Sequence, residues 1–153
     1  MTPTQIFENA PIGAIIAWSD NTPRPPDRFK NKLSTWTTHN SRGRLIRKDP
    51  ARTLGNYTSQ PGFTLHEGEI GGVITILRTF GADSNLTFTI LQHPAPGSVR
   101  IFDQPGERAE LIHLAANREE AEAWLRTHRY RDAVLDEVPQ DAAATDVNEG
   151  RAA

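Results

Sequence analysis

Three apolar, β-branched runs, 70–80, 86–93 and 99–102, follow one another and are separated by short turns rich in polar residues, Pro or Gly. Each alternates with the period of two that a half-buried strand requires. Ile74, Ile76 and Phe80 oppose Val73, Thr75, Leu77 and Thr79; Leu86, Phe88 and Ile90 oppose Thr87 and Thr89; Val99 and Ile101 oppose Arg100 and Phe102. The links are too short for a parallel crossover, so the pattern predicts an antiparallel meander. Phe63, Leu65 and the two residues between and after them alternate in the same way, and Gly71-Gly72 predicts a bulge or bend.

Upstream, 6–11 reads as a lead-in turn and 13–18 as a first strand with Ile15 on one face and Ile16 and Trp18 on the other. Pro23-Arg24-Pro25-Pro26 must be extended, because each Pro restricts its own φ and the residue before it. Asp27 is placed as the N-cap of a helix over 28–39, in which Phe29, Leu33 and Trp36 recur at i, i+4 and i+7. Gly43 supplies a left-handed cap at its end. A strand over 44–48 follows, with Leu45 and Arg47 on one side and Arg44, Ile46 and Lys48 on the other, and then a polar loop over 49–62.

Downstream, 109–115 is a strand, and Asn117 with Glu120 predicts the capped start of a second helix whose apolar stripe is Ala121, Trp124, Leu125 and His128. The segment 132–138 reads as a closing edge strand, and 139–153, without periodicity, as a frayed tail. Together these predict an α+β fold: a curved antiparallel sheet or small partly open β-barrel, SH3-like or OB-like, with two short helices. The domain is 1–138, a single unit with a basic helix-loop insertion at 23–62.

Composition narrows the chemistry. The absence of cysteine excludes disulfides, thiolate catalysis and cysteine-ligated zinc. No apolar run reaches the roughly 18 residues of a spanning helix, and the first residues lack the basic and apolar regions of an export signal, so a cytoplasmic protein with no membrane partner is expected. There is no Gly-x-Ser-x-Gly elbow, no phosphate loop opening a helix and no His-Glu-x-x-His, and no cofactor or metal is expected.

Charge supplies the one positive indication. The net charge of -2 hides an asymmetry: residues 1–76 carry nine Lys/Arg against six Asp/Glu, whereas 77–153 carry eight against thirteen. Within 24–57, nine basic side chains meet only Asp27 and Asp49, and aromatic residues are interleaved with them. That combination is what a nucleic-acid binder uses, cations on phosphates and rings on bases. The expected contacts are Arg28, Lys32, Arg42, Arg44, Arg47, Lys48 and Arg52 for phosphates, with Trp36 or Tyr57 for stacking. Against this, Trp36 shares a helix stripe with Phe29 and Leu33, which argues for a place in the core and leaves the basic groups as a solvated rim. The expected function is that of a small non-catalytic accessory protein binding DNA or RNA. The alternatives are an adaptor or structural subunit that uses the same surface on an acidic protein and, third, a small enzyme.

Overall fold

The computed structural model describes residues 1–70 and 74–139, and the chain divides into two units, 1–92 and 93–153. The expectations for Gly71-Gly72 and for the tail beyond Pro139 fall outside the described residues.

The first unit contains α1 (Pro3–Asn9), β1 (Ile15–Ser19), α2 (Lys30–His39), β2 (Ser41–Asp49), β3 (Arg52–Leu54), β4 (Tyr57–Ser59), β5 (Gly62–Ile70), β6 (Ile74–Gly81) and β7 (Thr87–Gln92). Five of the strands form an antiparallel sheet in the order β6-β5-β2-β1-β7. The meander expectation is corrected here. β7 does not pair with β6 but crosses to the far edge beside β1, because Phe88 and Ile90 come into register with Trp18 and Ile16 and bury the same face.

The core of this unit is Ile6, Ala10, Ala14, Ile16, Trp18, Leu45, Phe63, Leu65 and Phe88, with Phe80 and Ile90 packed against it. Ring pairs knit it together, Trp18 to Phe80 at 5.2 Å, Phe63 to Phe88 at 5.3 Å and Phe80 to Phe88 at 5.1 Å between centroids. Tilted and edge-on pairs of this kind add about 0.5–1.5 kcal/mol each beyond the area they bury.

α1 replaces the expected lead-in turn, so the described residues contain three helices rather than two. Thr2 and Gln5 form a full capping box, and Pro3 occupies the first turn where its missing N–H costs nothing. The helix exists to carry Ile6 into the core.

α2 starts later than expected. The Asp27 carboxylate lies 2.7 Å from Arg24 instead of capping, Phe29 is the N-cap without a side-chain bond, and a turn closed by Phe29 N–H to the Pro26 carbonyl precedes the helix. Gly43 does not cap α2, which ends at Asn40. It sits within β2, where a Cβ would come 2.8 Å from the His66 backbone oxygen, so the close approach of β5 requires glycine there. The loop expected over 49–62 holds the hairpin β3–β4, turned by Gly55 at φ 62 and Asn56.

The second unit contains β8 (Val99–Phe102), β9 (Leu111–Ala115), α3 (Arg118–Thr127) and β10 (Val134–Glu137). The strands are antiparallel in the order β10-β8-β9, which makes β10 the edge strand its sequence predicted and puts β8 in a different sheet from β6 and β7. Asn117 caps α3 through the Glu120 N–H at 2.8 Å. Ala121 is buried with Val99, Ile101 and Ala115, and Trp124 and Leu125 pack beside them, so the stripe of α3 covers this small sheet.

The fold is thus α+β with antiparallel sheets, none of them closed into a barrel among the described residues. Among the same residues, no helix is long and apolar enough to cross a membrane.

Candidate nucleic-acid interface

The alternation of β2 changes phase in mid-strand. Leu45 pairs with Leu65 and Arg47 with Thr64, leaving Ile46 as one extra residue, a β-bulge. Residues in register share a face, so Arg44, opposite His66, and Arg47, opposite Thr64, both lie on the side away from Leu45, Leu65 and the core. Arg42, opposite Ala17, lies on that side as well. An unbulged strand would have set Arg44 and Arg47 on opposite faces. Lys48 pairs with Phe63 and therefore falls on the face opposite the arginine row.

The three arginines differ in freedom. Arg42 is exposed and has no acidic partner among the described residues. Arg44 is half-buried and donates to the Gly13 carbonyl at 2.7 Å, and burial lowers its pKa without a neighbouring acid to oppose that. Arg47 lies 3.2 Å from Asp49 and reaches Thr64 Oγ1 at 3.4 Å. Burial also lowers the pKa of Lys48.

Arg52 and Tyr57 belong to the β3–β4 hairpin, directly beyond the Asp49 end of β2. Tyr57 is 68% exposed and Leu54 66%, which leaves two large side chains on the same hairpin open to solvent.

Lys32 lies on α2 and Arg28 just before it, and both cations lie over the exposed Phe29 ring, at 5.1 and 4.9 Å from its centroid. α2 buries no residue, so the stripe of Phe29, Leu33 and Trp36 is not a core stripe. Polar ties hold its C-terminal end instead. Trp18 Nε1 donates to the Thr38 carbonyl at 3.0 Å, Trp36 Nε1 to the Thr22 carbonyl at 3.0 Å, and Asn40 Nδ2 to the Trp36 carbonyl at 2.9 Å.

These ties leave a cleft of about 430 Å³ between α2 and the proline crossover, lined by Asp20, Thr22, Pro23, Pro25, Asn31, Lys32, Thr35, Trp36 and His39. Its acid is tightly held. Asp20 Oδ1 accepts from Thr22 N, Thr22 Oγ1 and Asn40 Nδ2 at 3.0, 2.6 and 2.9 Å. The bonds from Thr22 and Asn40 stabilise the charged form and bring Asp20 down to about 2. Asn21, at φ 64, makes the tight turn that aims Thr22 back at Asp20.

The sequence reading singled out Trp36 and Lys32 but missed Asp20 and Asn40. The signal for Asp20 lies in Ser19-Asp20-Asn21-Thr22, where Asp followed two residues later by Thr is the pattern of a side chain bonding forward to the backbone. The arginine row and the cleft are two features of the first unit with chemistry to offer a ligand. Comparison with curated proteins and with solved structures finds no match. Residues 1–142 match the family described as "Uncharacterised conserved protein UCP036055", and the chain belongs to that family.

Proposed function

We propose that this chain is a small non-catalytic accessory protein of the cytoplasm that binds nucleic acid through phosphate contacts made by its first unit. The observation that carries the reading is the bulge at Ile46, which gathers Arg42, Arg44 and Arg47 on one face of β2. Successive same-face residues on a strand are about 6.6 Å apart, a spacing suited to tracking an extended phosphate backbone. Arg52 adds a cation from the hairpin that follows β2, where Tyr57 is open for stacking, and Lys32 on α2 and Arg28 just before it add further charge. We further propose that the five-stranded sheet curls into a partly open barrel of the SH3-like or OB-like kind. Its edge strands β6 and β7 are joined by residues 82–86 alone, and their Phe80 and Phe88 rings lie 5.1 Å apart, whereas the edges of a flat five-stranded sheet stand about 19 Å apart.

A salt titration of a labelled single strand tests the reading. Arg28, Lys32, Arg42 and Arg52 have no acidic partner among the described residues. If these cations engage four phosphates, log K should fall with log salt at a slope of about -3. Reversing Arg42→Glu and Arg52→Glu together should reduce that slope by about 1.4 and weaken all sequences alike. Absence of binding at low salt, or binding indifferent to salt, would reject it.

Exposure of Leu54 and Tyr57 on the hairpin favours a second reading, an adaptor that docks on an acidic protein surface. In that case a Leu54→Ser, Tyr57→Ser variant loses a protein partner in pull-down, whereas oligonucleotides do not compete for that partner.

A further inference from the structure

We propose that the cleft between α2 and the 20–25 crossover receives a single nucleobase that bears an exocyclic amino group, stacked on Trp36 and donating to Asp20. The proposal rests on the nucleic-acid reading above, adds a second stacking site to it and names the base that this site would accept.

The cleft has the size of a small-ligand site, about 430 Å³ against the usual range of roughly 300–1,000 Å³. Its apolar surface is Trp36 with Pro23 and Pro25, rigid groups that lose little entropy when a planar ring lies against them. The bond from Trp36 Nε1 to the Thr22 carbonyl, 3.0 Å, keeps the indole from rotating away, so the platform is preorganised. A base stacked on an aromatic side chain gains about 1–3 kcal/mol whatever its identity, so stacking alone gives affinity without selection.

Selection comes from Asp20. Three donors converge on Oδ1, while Oδ2 receives none among the described residues. The carboxylate is ionised throughout the neutral range, being held near 2, and an ionised carboxylate is an acceptor only. An amino group, such as cytosine N4 or adenine N6, satisfies it. The carbonyl edge that thymine or uracil presents in the same position would leave two acceptors facing each other.

The remaining charge favours a nucleotide over a free cationic group. A ligand ammonium would also suit an indole face and a carboxylate, but Lys32 lines the same cleft and opposes it. For a nucleotide, the base is neutral where Asp20 stands and the attached phosphate is anionic where Lys32 stands, and His39 lies on the same wall.

The test compares labelled (dC)8 with (dT)8 by fluorescence anisotropy at pH 7.5, two pyrimidine strands that differ in presenting an amine or a carbonyl. The expected result is tighter binding of (dC)8 by about tenfold, the effect of one hydrogen bond to a charged group. Asp20→Asn keeps an oxygen for Thr22 and Asn40 and sets a donor in the place of Oδ2, so it should invert the preference toward (dT)8. Trp36→Ala should weaken both strands by about tenfold. In ¹⁵N spectra of the unmodified protein, deoxycytidine monophosphate should move the Trp36 indole N–H and the Asn40 amide while sparing Trp124. Equal affinity for both strands, or an unmoved Trp36 signal, would overturn the proposal. Salt-dependent binding without base preference would do so while leaving the phosphate reading intact, and failure to bind either strand at low salt would remove both. The base preference and the indole shift are read on the unmodified chain, so the test holds even if a variant does not fold.

Discussion

Replacing Asn40 with alanine strikes the point where strand, crossover and helix are tied together. Its side chain accepts from Ser19 Oγ at 2.7 Å and from Asp20 N at 3.2 Å, and donates to Asp20 Oδ1 and to the Trp36 carbonyl at 2.9 Å each. A net 0.5–1.5 kcal/mol per bond would suggest a larger loss, but Ser19 and Asp20 can turn to water in this half-buried site, so we expect about 2 kcal/mol. Urea unfolding followed by fluorescence measures that loss, and an NMR titration of the Asp20 carboxyl measures the accompanying change. With one of its donors gone, Asp20 should rise from about 2 toward its ordinary 3.8 while Thr22 still holds it partway down. The pH dependence follows. A depressed carboxylate stabilises the fold fully above 3.8, and the contribution disappears as pH falls through about 2. Asn40→Ala should therefore narrow that acid window and weaken oligonucleotide binding through a loosened α2. A variant within about 0.5 kcal/mol of the unmodified protein, with Asp20 still titrating near 2, would refute the view that this network anchors the helix, since even one lost bond costs that much.

Two further tests address one unit each. Thr2→Ala removes the oxygen that accepts the Gln5 N–H at 3.2 Å and should cost about 1 kcal/mol in urea unfolding, because α1 delivers the fully buried Ile6 to the core. In the second unit, His113 lies parallel to Trp124 at 4.8 Å, and Trp124 also stacks with His128 at 4.0 Å and with Tyr130 at 5.8 Å. Burial lowers the His113 pKa, and His128 adds to this while Glu120 opposes it. The unfolded chain then takes the proton more readily, so stability should be full above 6.5 and decline as pH falls below it; unfolding midpoints at neutral and mildly acidic pH, with His113→Gln abolishing the His113 share, check this.

Local chemistry was legible where it closes within a few residues. The Asn117–Glu120 start of α3 and the faces of β1 follow from spacing alone, and the capping box of α1 was there to be read in Thr2-Pro3-Thr4-Gln5. The Asp27 cap failed because Arg24, three residues back, engages the same carboxylate. Trp36 illustrates the limit of periodicity, since a stripe of three apolar side chains says nothing about whether another layer arrives to cover it. Of the nine expected contact residues, the bulge groups three arginines, separates Lys48 from them, and leaves Arg52 and Tyr57 on a hairpin that looked like a loop.

By itself, the sequence determined the longer strands and the helices α2 and α3, though not α1 or the β3–β4 hairpin, together with the antiparallel α+β class and the gathering of cations into the first half, since these depend on neighbours within a turn or a strand. Only the tertiary structure decided that β7 joins β1, that β8 belongs to a second sheet, and that Arg44 and Arg47 share a face. The physical reason is that strand partners and bulges are relations between distant segments. Ile46 is an extra residue only when counted against Leu65 and Thr64. Likewise, the Asp20 carboxylate becomes a fixed acceptor only once Asn40, twenty residues away, folds back onto it.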